Sequence, residues 1–303
     1  MGFVCRHCQA ACEPYRFKDK PVVLRCRACR CDTWLTAGTV MERTRQPLKT
    51  WFWAAYRLTT NTGGMSAWIF QRQLGLTRYE TAFQMLHKLR AGMVRPNQDS
   101  ICPEEGDHVK ADETLVGGRT RGEGRGVHPK LIVATAVEVR HRANTDTSRA
   151  KRRNGRYAGR VRMAVVTDRS AESLGGFIRN AVAPGAKIIT DDWSGYCGLK
   201  SFGFDHSPVA ERGDPQVVEE LLPIIHTVFA NLKSWLNGTH HGVSQKHLPA
   251  YLNELVFRFN RRFYPFQAFR FLLGIAGSSS APTYEGLYTG DWHHPTTFSA
   301  CGG

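Results

Sequence analysis

His108-Val109-Lys110-Ala111-Asp112-Glu113-Thr114-Leu115-Val116-Gly117-Gly118 decides how the chain is read. Its apolar and β-branched residues spell a strand, yet a carboxylate pair sits where apolar residues are expected. A second stretch repeats the pattern: Lys187-Ile188-Ile189-Thr190-Asp191-Asp192-Trp193-Ser194-Gly195-Tyr196 places an acid just after another buried-type run. About thirty-five residues beyond Asp191, residues 223–236 have a helical period and carry His226 and Lys233. Two strand-borne aspartates and a ligand on a later helix are what a divalent-metal phosphoryl-transfer site requires.

The surroundings of these stretches define an α/β unit. Residues 109–116, 130–139 and 160–166 read as strands, 171–181 as a helix and 187–190 as a buried strand, which implies a sheet covered by helices. Between the second and third strands, residues 140–160 are dense in Arg and Lys and read as an exposed loop suited to phosphate. Along a strand, Glu113 points away from Asp112 and reads as structural. His226 and Lys233 are seven apart, about two helical turns, so they share a face, and Pro223 fits the first turn of their helix. Glu254, Arg258 and Arg261 recur at i, i+4 and i+7 on a later helix. From spacing alone this triplet is either an exposed ion pair worth a few tenths of a kcal/mol or a functional face.

Upstream, residues 47–56 are aromatic-rich with a helical period, and Thr59-Thr60-Asn61-Thr62-Gly63-Gly64 breaks them. Two further helical patterns, residues 66–74 and 78–93, flank Gly75-Leu76-Thr77. With Thr77 as N-cap this reads as a helix-turn-helix whose second helix offers Arg78, Lys88 and Arg90 to DNA; an ordinary helical bundle is the alternative. Residues 96–103 read as a linker. Six of the nine cysteines lie in the first 31 residues, and Cys5-x2-Cys8 and Cys26-x2-Cys29, with seventeen residues between them, have the spacing of a structural zinc ribbon. Zinc would stand in for a core that about forty residues cannot build. Cys12 and Cys31 are spare. The expected organisation is a ribbon over 1–40, a helical DNA-binding segment over 41–100, a catalytic domain over 105–275 and a disordered, Ser/Gly/Pro/Thr-rich tail over 276–303.

A net charge of +15 and a pI near 9.7 point to a polyanionic partner. No apolar run approaches the ~20 residues of a membrane span, and the N-terminus lacks the pattern of a signal peptide. A cytoplasmic protein, on the nucleoid when bound to DNA, is expected. Nine cysteines in a reducing compartment favour metal over disulfides.

The ribbon, the region around Thr50-Trp51-Phe52, Ala111-Asp112-Glu113-Thr114, Thr190-Asp191-Asp192-Trp193-Ser194-Gly195-Tyr196 and Gly238-Thr239-His240-His241-Gly242-Val243-Ser244 resemble the IS1595 family of insertion-sequence transposases, in particular its ISXO2-like branch. The resemblance runs from about residue 3 to 275. It implies an RNase H-like catalytic domain and DDE-type chemistry: two Mg²⁺ or Mn²⁺ ions, nicking of the element's ends, and joining of the freed 3′-OH to target DNA. It places the first two acids on Asp112 and Asp191. The third, seven residues before a lysine, falls on His226 before Lys233, and Glu254, Arg258 and Arg261 match the family's E-R-R signature. Histidine is softer than the usual oxygen donor, so tolerance of Mn²⁺ and loss of activity in acid, as the imidazole takes a proton, are expected. Double-stranded DNA is the implied partner, and holding two ends together calls for at least a dimer. The rival readings are a zinc-ribbon, helix-turn-helix regulator and an RNase H-like nuclease that cuts without joining.

Overall fold

A computed structural model describes residues 2–94, 99–101, 103–117, 130–141, 155–209, 223–277 and 283–289. At the N-terminus three short strands, β1 (Tyr15–Arg16), β2 (Val23–Arg25) and β3 (Asp32–Trp34), form an antiparallel sheet in that order. So small a sheet has little to bury. Arg25 and Asp32, paired across β2 and β3, add a two-pronged ion pair at 2.6 and 2.9 Å.

Three helices follow: α1 (Leu48–Thr60), α2 (Ala67–Gln73) and α3 (Tyr79–Ala91). On α1, Trp51, Ala54, Ala55 and Leu58 are buried at i, i+3, i+4 and i+7, one stripe of the helix. Ser66 caps α2 by accepting the Ile69 N–H at 3.3 Å. The expected Thr77 cap does not form. Gly75 turns the chain at φ +63°, Leu76 drops into the core, and Arg78 stays extended as the residue before α3, with Glu80 as the acid in its first turn. Nor do the basic residues of α3 make one DNA-facing side. Arg78 is exposed, but Lys88 donates to the Glu42 carbonyl at 2.9 Å and Arg90 is fully buried.

The larger unit is a five-stranded sheet of order β6-β5-β4-β7-β8. Strand β4 (His108–Val116) lies at its centre, antiparallel to β5 (Leu131–His141), which pairs antiparallel with β6 (Arg156–Val166). On the other side β7 (Lys187–Asp191) runs parallel to β4, and β8 (Asp205–Val209) parallel to β7. This mixed α/β sheet is consistent with an RNase H-like domain. One face packs Val109, Ala111, Ala134, Ala136 and Ile188 beneath α4 (Ala171–Ala181) and a 3₁₀ helix, Ser194–Phe202. The opposite face packs Val133, Val137, Val161 and Met163 against α5 (Pro223–Trp235) and α6 (Leu248–Asn260).

A third core joins the two ends of the chain. Leu58, Phe70 and Leu86 of α1–α3 meet Phe257 of α6 and Leu272 and Ala276 of α7 (Pro265–Ala276). Helix α7 lies in the interval expected to be catalytic, yet its apolar face completes the core of the helical segment. Within the expected disordered tail, α8 (Tyr284–Thr289) is helical and buries Leu287, because that side chain gives the segment an apolar anchor. Of the basic stretch read as a phosphate-contacting loop, residues 142–154 lie outside the described residues. Its ends are strand: Arg140 and Arg160 flank the buried Glu138, with Arg140 Nε at 3.0 Å and the Arg160 N–H at 2.8 Å. Among the described residues no helix is long and apolar enough to cross a membrane.

Candidate functional site

Alternation along β4 turns Val109 and Ala111 towards α4 and therefore turns Asp112 towards α5. On β7, Ile188 faces α4, so Asp191 faces the same way as Asp112. The parallel register pairs Val109 with Ile188 and Lys110 with Ile189; carried on by two residues it sets Asp112 abreast of Asp191. His226 projects from the first turn of α5, and its Nε2 lies 3.6 Å from Asp112 Oδ2. The Asp112 side chain is 15 % exposed and that of His226 46 %, so the cluster opens to solvent on the histidine side. Lys233 is exposed on the same face of α5, two turns on. Asp192, just beyond the strand, and Asn231, on another face of α5, are also exposed.

Burial dominates the electrostatics of Asp112. Burial, then the negative charges of Asp191 and Glu113, push Asp112 up to about 7, against the Glu113 backbone N–H and Arg169, which act the other way. A buried carboxylate whose proton affinity is raised by a neighbouring carboxylate, with an imidazole beside it, suits a cation held among them. That donor set fits a divalent metal. The ligand atoms of Asp112, Asp191 and His226 are not all within 4.8 Å of one another.

Behind the carboxylates a second layer fixes them. Glu113, facing α4 as alternation requires, accepts a hydrogen bond from the Tyr196 hydroxyl at 2.6 Å and is ion-paired with Arg169. Burial and Glu113 keep Tyr196 protonated. The Arg169 guanidinium lies 4.1 Å over the Trp193 ring, whose Nε1–H donates to the Arg169 carbonyl at 3.1 Å. The two acidic motifs are thus tied by Tyr196 and Arg169. Arg169 lay outside the sequence reading, since nothing in Asp168-Arg169-Ser170 beyond a helix cap at Ser170 marks it. Lys110, wholly buried two residues before Asp112, was missed too; burial lowers its amine to about 8.

Residues 105–260, just over half of the chain, match the model of the ISXO2-like transposase domain. The chain belongs to the ISXO2-like transposase family. It is an insertion-sequence transposase in general terms, with DNA as its partner. No curated protein and no solved structure matches it.

The remaining residues singled out in this transposase lie elsewhere. Glu254 is 0 % exposed; Arg90 Nε reaches its Oε2 at 2.8 Å and Arg258 Nη1 its Oε1 at 3.4 Å. Arg258 also donates to the carbonyls of Asn61 and Thr62, the latter at 2.7 Å, and so grips the α1–α2 loop. Arg261 packs 4.0 Å over Phe257 and donates to its carbonyl at 3.3 Å. The triplet therefore lies at the junction of α6 with the helical segment, whereas Asp112, Asp191 and His226 gather at the sheet.

At the N-terminus the sulfurs of Cys5, Cys8, Cys26 and Cys29 all lie within 4.8 Å of one another. The Cys5–Cys29 and Cys8–Cys26 separations are 3.5 and 3.7 Å. The edge of a tetrahedron with Zn–S bonds of 2.3 Å is about 3.8 Å, so the cluster can hold a metal such as zinc. Both knuckles have the same turn: Gln9 donates to the Cys5 carbonyl and Arg30 to the Cys26 carbonyl, and Gln9 and Arg30 each adopt positive φ. Backbone N–H groups led by that of Cys29 lower the Cys26 thiol to about 6. Cys12 is 3.9 Å from Cys26, and Cys31 joins His7 and Cys29 in an overlapping group.

Proposed function

We propose that this transposase cuts the ends of its element and joins the freed 3′-OH to target DNA by in-line phosphoryl transfer. Asp112, Asp191 and His226 would hold Mg²⁺ or Mn²⁺. The observation that carries the reading is the approach of His226 Nε2 to within 3.6 Å of Asp112 Oδ2, beside the Asp191 that raises Asp112's proton affinity. Divalent ions held there would supply Lewis acidity for the attacking water or 3′-OH and for the leaving oxygen. The two aspartates, on neighbouring strands of a packed sheet, hold their oxygens without reorganisation. His226 closes the cluster from the helix side. Lys233, two turns along the same face, offers its ammonium to a phosphate near the scissile bond. Glu254, Arg258 and Arg261 act in support, holding α6 and the α1–α2 loop so that the helical segment and the sheet keep one relative position. A zinc-loaded ribbon and the helical segment contribute DNA contacts, and two protomers bring two ends together.

The test is strand joining with oligonucleotides copied from the DNA flanking the gene. His226→Ala should lower joining by roughly a hundredfold or more in Mg²⁺, and His226→Glu, an oxygen donor, should recover part of it. Joining unchanged in His226→Ala would remove the histidine from the site. Cutting without joining in the wild type would indicate a nuclease, and binding without chemistry a regulator. For the ribbon, Cys26→Ser should abolish zinc retention, measured by atomic emission after dialysis, while Cys12→Ser keeps it. Equal loss in both would mean that Cys12 is a ligand.

A further inference from the structure

Beside the four-cysteine cluster, His7, Cys29 and Cys31 form a second group of metal-type donors, whose ligand atoms all lie within 4.8 Å of one another. The two groups share Cys29. His7 sits inside the first knuckle, between Cys5 and Cys8, and is exposed. Cys31 follows the second knuckle by two residues and is a half-buried free thiol. The backbone fixes its place: Arg30 turns the chain at φ +62°, the Cys26 N–H donates to the Cys31 carbonyl at 2.9 Å, and the Cys31 N–H is hydrogen-bonded to the Cys29 sulfur. Charge and softness say what such a group takes. Four thiolates around one divalent ion leave two negative charges uncompensated, which favours a further cation alongside. A thiolate sulfur keeps lone pairs with which to bridge a second ion, and thiolate with imidazole selects zinc over the oxygen-seeking Mg²⁺. Three protein donors, with His7 on the solvent side, leave the fourth position to water.

We propose that His7, Cys29 and Cys31 form a second zinc site, bridged to the ribbon's first ion through the Cys29 sulfur and open to solvent at its fourth position. The inference rests on the reading of Cys5, Cys8, Cys26 and Cys29 as a zinc site and makes the ribbon a two-ion cluster. The second ion ties His7 of the first knuckle to the chain leaving the second, just where β3 begins. Held by three protein ligands instead of four, it is the more readily exchanged of the two. Cys12, 3.9 Å from Cys26 but outside both groups, is not a ligand.

The experiment titrates the reduced, metal-free full chain with Cd²⁺, the soft stand-in for zinc, and follows thiolate-to-metal absorbance in the ultraviolet. Ions held by carboxylates alone lack that absorbance, so the sheet site does not enter the count. The wild type should reach its end point at two ions per chain, and a chelator should withdraw them in two steps. His7→Ala and Cys31→Ser should each end at one ion, the tightly held one, while Cys12→Ser should still end at two. With ¹¹³Cd the wild type should show two resonances, each split by the other through the shared sulfur. Cys31→Ser should remove one resonance and collapse the splitting of the other. An end point of one ion in the wild type would overturn the proposal and leave the four-cysteine site standing, whereas no thiolate-bound ion at all would show that the ribbon reading itself had failed. Cys31→Ser that still takes two ions, or takes none, would equally overturn it, the latter by placing Cys31 in the tight site. Two resonances without splitting would overturn the bridge through Cys29.

Discussion

Asp112→Asn loses strand joining by roughly 10³- to 10⁴-fold, equivalent to the several kcal/mol that metal charge stabilisation supplies, while its metal-free form gains stability near neutral pH. Both effects come from one placement. The carboxylate is pushed from the usual value of 3.8 up to about 7, by burial first and by Asp191 and Glu113 next. A carboxyl raised in this way holds its proton in the folded state at pH values where the unfolded chain has released it. Between about pH 4 and pH 7 the folded state therefore binds more protons, and stability falls as pH rises through that window. At roughly 1.4 kcal/mol per pKa unit the loss amounts to a few kcal/mol. Asparagine has no charge to desolvate. In EDTA, the wild type should melt lower at pH 8 than at pH 5 by more than the variant does. Added Mg²⁺ should restore the wild type at pH 8 and leave Asp112→Asn unmoved. Parallel melting profiles for the two proteins would mean that Asp112 is not under the strain its surroundings imply.

The acidic motifs were legible because they break a rule. A strand flanked by valine, alanine and leucine has no structural use for an aspartate, so Asp112 stood out in the sequence, and the same holds for Asp191 after Ile188-Ile189. The seven-residue spacing put His226 and Lys233 on one face, and the structure brings that histidine to Asp112. Cysteine spacing was equally direct, since two turns supply four sulfurs whatever lies between them. What escaped notice depends on distant partners. Arg90 looked like one more exposed cation on an amphipathic helix, and Glu254 like half of a surface pair with Arg258. Their meeting, 164 residues apart, is set by the docking of α3 on α6 and leaves no local trace. The place of α7 is hidden in the same way. Its apolar stripe demands a partner, but nothing in its own residues says that the partner is α1 rather than the sheet.

That long-range pair gives the largest effect on stability. With Arg90 1 % exposed and Glu254 0 %, Glu254→Ala leaves a guanidinium buried against the Tyr251 ring, 3.9 Å away, without its counter-charge. Stranding a buried charge costs about 3–5 kcal/mol, and a fall of about 10 °C in melting temperature follows for a chain of this size. Arg258 worsens the loss, because its grip on the Asn61 and Thr62 carbonyls is steered by the same carboxylate. The double variant Arg90→Met, Glu254→Leu removes both charges and fills the space, so it should recover most of the stability, as buried pairs replaced by apolar groups commonly do. The double variant also separates support from chemistry. If stability and joining return together, Glu254 serves by holding the helical segment against α6. If stability returns and joining does not, the carboxylate acts on Arg258 and the α1–α2 loop in a way that packing cannot replace. Should Glu254→Ala melt with the wild type, the ion pair is not the clamp between the two cores, and the docking of α3 on α6 must rest on their apolar faces alone.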